Sequence, residues 1–274
     1  MHSHNIINKK IKIIDNTRVC NNYYKLILDS SVIAKLAQPG QFLHIKINSS
    51  FDPLLRRPLS IHRILGGKIE ILYELVGRGT KILSESSSGD ILDVIGPLGK
   101  GFNYQSPQPK ADPPQAEITN DKANPNNQLP ILIAGGIGVA PLVFLAQKMK
   151  QTPIVLIGAK TKNEVLCMKE FKNLGCDVRI ATDDGTLGFK GRVTDLLKEF
   201  LPANRIYACG PDAMLKSLQK IAAVNNLNCQ VSLDEGMGCG IGACLACVIN
   251  TTKGQKRICH DGPVFDIKEL IWEG

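Results

Sequence analysis

A chain of 274 residues can hold two ordinary domains with a sizeable core, and its 43% apolar and 21% charged residues are globular values that exclude disorder throughout. The net charge of +8 comes without a run of lysines interleaved with aromatics, so it implies a basic surface or anionic cofactors and argues against a nucleic-acid site. The start, MHSHNIINKKIKIID, lacks an apolar core and a cleavage site, so we expect a cytoplasmic protein with reduced thiols, in which clustered cysteines more often hold metal than pair.

Residues 6–102 read as β structure. KIKIIDNTRV, YYKLILDS, GQFLHIKI, RPLSIHRI, KIEILYELV and DILDVIG are short apolar-rich runs separated by turn residues. They predict a six-stranded antiparallel β-barrel as a first domain, 1–102. One predicted strand carries Arg57-Pro58-Leu59-Ser60, in which the arginine can grip a phosphate and the serine adds a donor. Alone this motif is weak, since strand arginines usually face water. It gains weight from LVGRGTKIL, where Gly77, Gly79 and Thr80 open a predicted helix suited to an anion.

Residues 103–129 hold five prolines and almost no large aliphatics, and read as a flexible linker. From 130 the period changes. The runs ILIAGG, PIVLIGA, CDVRIAT, RIYACG and CQVSLD alternate with helical segments at about 140–150, 163–174, 192–200 and 211–226. This predicts a parallel α/β nucleotide-binding domain over 130–234. The uncharged stretch 129–146 is long enough to raise a membrane span, but Gly135, Gly136, Gly138 and Pro141 argue for strand, turn and helix. AGGIGVAP is not the dinucleotide fingerprint G-x-G-x-x-G, yet a glycine turn at a strand's carboxyl end can admit a dinucleotide. Cys209-Gly210-Pro211 repeats that strand–turn–helix pattern.

The last segment, 235–274, contains Cys239, Cys244, Cys247 and Cys259 with the spacing C-x4-C-x2-C-x11-C. Zinc and iron–sulfur are both open to four thiols. Structural zinc favours two separated C-x2-C knuckles, whereas three ligands from one glycine-rich loop match the plant-type [2Fe–2S] pattern. Gly238, Gly240 and Gly242 let backbone N–H groups turn toward the sulfurs. Cys20, Cys167, Cys176 and Cys229 are expected to be ordinary core residues, and His44 and His62 packed or surface residues rather than proton carriers.

Taken together, the Arg57–Ser60 strand, the Gly135–Pro141 and Cys209–Pro211 turns, DEGMGCGIGACLACV and the ending CHDGPVFDIKELIW resemble the electron transfer subunits of dihydroorotate dehydrogenase B, within the ferredoxin reductase superfamily. The resemblance covers almost the whole chain; the 103–129 insertion is long for the family. It implies that Arg57, Pro58, Leu59, Ser60, Gly77, Gly79 and Thr80 bind FAD. Gly135, Gly136, Gly138, Pro141, Cys209, Gly210 and Pro211 would bind NAD, and the four loop cysteines a [2Fe–2S] cluster. It further implies an oxidoreductase subunit of pyrimidine biosynthesis. An FMN-containing catalytic subunit would be its partner, in a heterotetramer of two chains of each kind, with no side-chain acid–base catalyst here. The rival readings are an NAD(P)H-dependent ferredoxin reductase or a hydrogenase or sulfide dehydrogenase diaphorase subunit on the same scaffold, and a non-enzymatic zinc module. Lys160 and Lys162, where an acidic ribose partner would mark NAD, favour the NADPH rival.

Overall fold

Alternating apolar and polar residues build the N-terminal part from β1 (Ile7–Cys20), β2 (Tyr23–Asp29), α1 (Ser31–Leu36), β3 (Phe42–Lys46), β4 (Arg57–Ser60), β5 (Arg63–Leu65), β6 (Lys68–Glu74), α2 (Arg78–Ser84) and β7 (Ile91–Leu98). The structure is a computed structural model, and it describes residues 6–48, 50–105, 129–203 and 205–272. Every pairing in this sheet is antiparallel, in the order β4-β3-β7-β1-β2-β6-β5. The two end strands are consecutive pieces of RPLSIHRI, interrupted only at Ile61-His62. There the sheet closes: the Ile61 N–H donates to the Gln41 carbonyl at 3.1 Å on one side, and the His62 N–H to the Glu70 carbonyl at 2.9 Å on the other. The expected six-stranded barrel is therefore present, with one strand bent into two. Ile13, Leu26, Leu43, Ile45, Ile69 and Ile71 fill it and are wholly buried, as the two-residue period of a strand requires. The short α1 was not expected; the Ser30 hydroxyl caps it by accepting from the Ile33 N–H, and this supplies a helix start inside an otherwise β-rich stretch.

The second part comprises β8 (Ile131–Gly135), α3 (Val139–Lys148), β9 (Ile154–Ala159), α4 (Met168–Asn173), β10 (Asp177–Thr182), β11 (Phe189–Lys190), α5 (Val193–Leu196), β12 (Ile206–Cys209), α6 (Asp212–Val224) and β13 (Cys229–Ser232). The strands pair in parallel, in the order β11-β10-β9-β8-β12-β13. All five β8 residues are buried, which explains why its sequence is a continuous apolar run rather than an alternating one. The stretch weighed as a membrane span is strand, 3-10 turn and helix. Among the described residues no helix is long and apolar enough to cross a membrane. Two expected helices are shorter than their sequence pattern. The 163–174 segment is helical only from Met168, and the 192–200 segment leaves α-helix after Leu196 for a 3-10 turn.

The last part adds β14 (Val248–Thr251), β15 (Gly254–Arg257), α7 (Ile258–Asp261) and β16 (Val264–Asp266). β14 and β15 form a hairpin, and β16 extends the parallel sheet by pairing antiparallel with β13, Phe265 opposite Val231. Met237, Cys247, Ile258, Cys259 and Phe265 lie in one core cluster with β8, β9, β12 and β13. The Lys100 N–H also donates to the Gly262 carbonyl at 2.5 Å, so this segment is seated against barrel and sheet together. Of the expected linker, 106–128 lies outside the described residues.

Candidate functional site

The eleven residues between Cys247 and Cys259 include the β14–β15 hairpin, whose strands begin and end with the paired residues Val248 and Arg257. A hairpin returns its ends to one place, and the Ile258 N–H donates to the Cys247 carbonyl at 2.9 Å. The thiols converge accordingly. The Cys239 N–H points at Cys244 Sγ (3.3 Å), the Cys259 N–H at Cys247 Sγ (3.4 Å) and the Gly242 N–H at Cys259 Sγ (3.1 Å). Cys239 Sγ receives the N–H groups of Ile241, Ala243 and Cys244 at 3.3–3.5 Å. Burial acts to raise the Cys239 thiol, but the Ile241 and Cys244 N–H groups overcome it and hold it down at about 6. Burial, with Cys247 beside it, pushes Cys259 up to about 12. The loop thus favours the thiolate at Cys239, and a bound cation is what would ionise Cys259. Four thiols ringed by backbone donors fit an iron–sulfur cluster, in which those donors offset charge on sulfur. Arg257 Nη1 donates to the Gly242 carbonyl at 2.9 Å and anchors the loop. Cys247 and Cys259 are buried while Cys244 is exposed, so the nest runs from core to surface.

Arg57 lies half-buried at the start of β4. Its guanidinium packs where a side chain on Gly79 would stand, which is why α2 needs glycine there. Arg57 Nη1 donates to the Leu55 carbonyl at 2.6 Å, and among the described residues no carboxylate pairs with Arg57. The charge is available to an anion. Thr80 closes the turn before α2, accepting from the Val76 and Gly77 N–H groups at 3.0 and 3.2 Å. Pro58, Leu59 and Ser60 continue the same strand, all half-buried. An arginine without a carboxylate partner beside this glycine turn fits a flavin diphosphate.

A cleft of about 600 Å³ opens at the carboxyl ends of β8, β9 and β12. Gly135, Gly136, Gly138, Cys209, Gly210 and Pro211 all line it. Pro141 does not; it is buried in the first turn of α3. The two loops touch through glycine: a Cβ on Gly138 would run into the Cys209 carbonyl, and one on Gly135 would come within 2.9 Å of the Pro211 ring. Burial pushes the Cys209 thiol up to about 12, so it stays neutral. Lys160 lines the cleft, whereas Lys162 is absent from its lining. Sequence reasoning missed Tyr23 and Glu74, which line the cleft from the barrel, and Asp183 and Arg192, which line it from the segments that follow β10 and β11. Nothing local marks them, since barrel and sheet meet only in the fold.

The nucleotide part is keyed to the barrel. His62 Nδ1 and the Ala140 carbonyl lie 2.9 Å apart, and the Gln147 amide bonds both backbone groups of Ile64 at 3.4 and 2.9 Å. Lys25 spans Glu70 and Glu170 at 3.7 and 3.4 Å. His62 and His44, expected to be packed or on the surface, are both wholly buried. Cys167, expected as a plain core residue, starts α4 with a left-handed backbone and sets its sulfur 4.0 Å from His62 Nε2.

A barrel, a parallel nucleotide sheet and a four-thiol loop in this order define an oxidoreductase of the ferredoxin reductase type. Residues 132–220 match the oxidoreductase NAD-binding domain, and residues 234–271 the iron–sulfur cluster binding domain of dihydroorotate dehydrogenase B. The electron transfer subunit of NAD(+)-dependent dihydroorotate dehydrogenase B from Desulforamulus reducens is 40% identical, aligned over 96% of this chain and 97% of its own. The corresponding subunit from a Geobacillus species is 38% identical over 96% and 98%. The solved structure of an NADH-dependent reduced ferredoxin–NADP oxidoreductase superposes with a TM-score of 0.79 at 27% identity, over 96% of this chain and 90% of that one. A Neisseria gonorrhoeae ferredoxin NADP+ reductase, at 14% identity and a TM-score of 0.62, shares the fold. The chain belongs to the family of dihydroorotate dehydrogenase B electron transfer subunits. Its cofactors are FAD, a [2Fe–2S] cluster and NAD, and its role as an electron transfer subunit implies a catalytic partner.

Proposed function

We propose that Cys239, Cys244, Cys247 and Cys259 ligate the cluster. Arg57, Pro58, Leu59, Ser60, Gly77, Gly79 and Thr80 hold FAD. NAD+ enters the cleft between Gly135–Gly138 and Cys209–Pro211, and Pro141 serves only to stiffen the start of α3. When bound, cluster and flavin supply one-electron and two-electron chemistry between the FMN of a dihydroorotate-oxidising subunit and NAD+. The chain's own residues place these groups, donate hydrogen bonds to sulfur and phosphate, and offer no acid–base catalyst. Two catalytic and two electron transfer chains form the complex, in the cytoplasm. The division of the chain at 102, 129 and 234 follows these roles: flavin, linker, nucleotide and cluster.

The observation that carries this reading is the core-to-surface thiol nest, with Cys244 at the exposed end. Beside it Ile241 and Leu245 stay 48% and 62% exposed, an apolar pair suited to a partner subunit. Lys160 and Arg192 in the cleft favour a 2′-phosphate, but Glu74, Glu164 and Asp183 line it as well and oppose one, so NAD is the preferred carrier. Iron, acid-labile sulfide and flavin analysis tests the assignment. Cys244→Ser should lose most of the cluster signal and keep FAD. Stoichiometric zinc without labile sulfide would overturn it.

A further inference from the structure

His44 is wholly buried, and among the described residues neither of its ring nitrogens has a hydrogen-bond partner. Imidazole always carries at least one N–H, whichever tautomer or charge state it adopts, and buried donors in folded proteins are nearly always matched. The Cys239 and Arg56 backbone groups lie near the ring and partly oppose the lowering of its pKa by burial, but neither is placed for a well-formed hydrogen bond. The ring's direction follows from the strand. Leu43 and Ile45 belong to the barrel core, so His44 between them projects from the opposite face. On that face it meets the thiol loop: a Cβ on Gly240 would collide with His44 Nδ1, and Gly240 has the left-handed φ of +72°. The residues that follow, Ile241 and Ala243, donate their N–H groups to Cys239 Sγ. On the other side His44 is paired across the sheet with Pro58 of the Arg57–Ser60 strand. The imidazole thus abuts the loop assigned to the cluster, from a strand whose sheet neighbour is the strand assigned to flavin.

We propose that His44 donates a ring N–H to a sulfur of the bound [2Fe–2S] cluster, adding a barrel side chain to the loop's backbone donors. A donor to sulfur stabilises the more negative, reduced cluster and raises its potential. In this way the residue that touches the flavin strand also helps set the potential of the cluster. The inference rests on the cluster assignment above, and Gly240 has no side chain because the ring occupies that space.

The test uses the cofactor-loaded full chain, labelled with 15N in histidine only. Iron and labile sulfide are measured first; their absence refutes the cluster assignment, independently of His44. With the cluster present and reduced by dithionite, pulsed electron paramagnetic resonance should detect a 15N-histidine coupling. It should vanish in His44→Gln and persist in His260→Gln, which removes the histidine next to Cys259. The midpoint potential should fall in His44→Leu and stay near the wild-type value in His44→Gln, whose amide can still donate. If a variant fails to retain its cluster, the wild-type and His260→Gln spectra still decide. A loaded wild-type cluster with no histidine coupling, or a coupling lost only in His260→Gln, would overturn the proposal. So would an unchanged potential in cluster-loaded His44→Leu.

Discussion

His62 Nδ1 lies 2.9 Å from the Ala140 carbonyl oxygen, so a barrel side chain holds the first turn of the helix that follows the glycine-rich nucleotide turn. Burial lowers the His62 pKa from 6.5 to about 4, against the pull of the Ala140 hydrogen bond and Glu70. Between those values the unfolded chain binds more protons than the folded one. Stability should therefore be full above pH 6.5 and decline as pH falls toward 4, by on the order of 3 kcal/mol at most. Melting temperatures of wild type and His62→Gln across this range check it. The variant should lose stability at neutral pH, and the gap should narrow with acid. A gap independent of pH would show that His62 charges freely in the folded protein.

Gly138 allows the two nucleotide loops to meet. Gly138→Ala puts a Cβ against the Cys209 carbonyl, and backbone cannot rotate away as a side chain would. An overpacked site typically costs about 1–3 kcal/mol. We expect the KM for the nicotinamide nucleotide to rise about tenfold or more while flavin and cluster contents hold. A normal KM would mean that the cleft opens without cost.

Arg57→Ala removes a charge that has no carboxylate partner among the described residues. A charge-assisted hydrogen bond is worth about 1.5–3 kcal/mol, so the FAD Kd should rise by roughly 10- to 100-fold. Fold and cluster content should survive, because Arg57 is only half-buried. Unchanged flavin content after dialysis would remove Arg57 from the site.

Leu245 is exposed beside exposed Cys244. Leu245→Asp should leave the isolated chain folded and fully loaded, yet weaken its association with the catalytic subunit by about tenfold or more, as burying an unpaired charge at an interface requires. Size-exclusion chromatography of the mixture reports it. Equal association would move the docking surface elsewhere.

The readable parts of the sequence were those where chemistry is local. Gly135, Gly136, Gly138, Gly210 and Pro211 punctuate strand and helix, and all five line one cleft. C-x4-C-x2-C is a single loop, so its spacing alone implied a shared ligand. RPLSIHRI read as one strand, and its bend at Ile61-His62 leaves the barrel closed. Less readable were residues joined by long-range register. Tyr23 and Glu74 reach the cleft because β2 and β6 pair at the end facing the sheet. His44 and Gly240 meet across nearly 200 positions. The helix ends at Met168 and Leu196 were also hidden, because periodicity continues where the hydrogen-bond pattern changes.

An electron transfer subunit that links a dihydroorotate-oxidising partner to NAD+ must be needed, together with that partner, for NADH to form. The most direct measurement is NADH formation from dihydroorotate and NAD+, with the chain alone, the FMN subunit alone and the reconstituted pair. Only the pair should make NADH, and Cys244→Ser should abolish the reaction while the FMN subunit still oxidises dihydroorotate with an artificial acceptor. NADH formation by the pair with a cluster-free Cys244→Ser chain at the wild-type rate would contradict this role, as would a loaded wild-type pair that makes none.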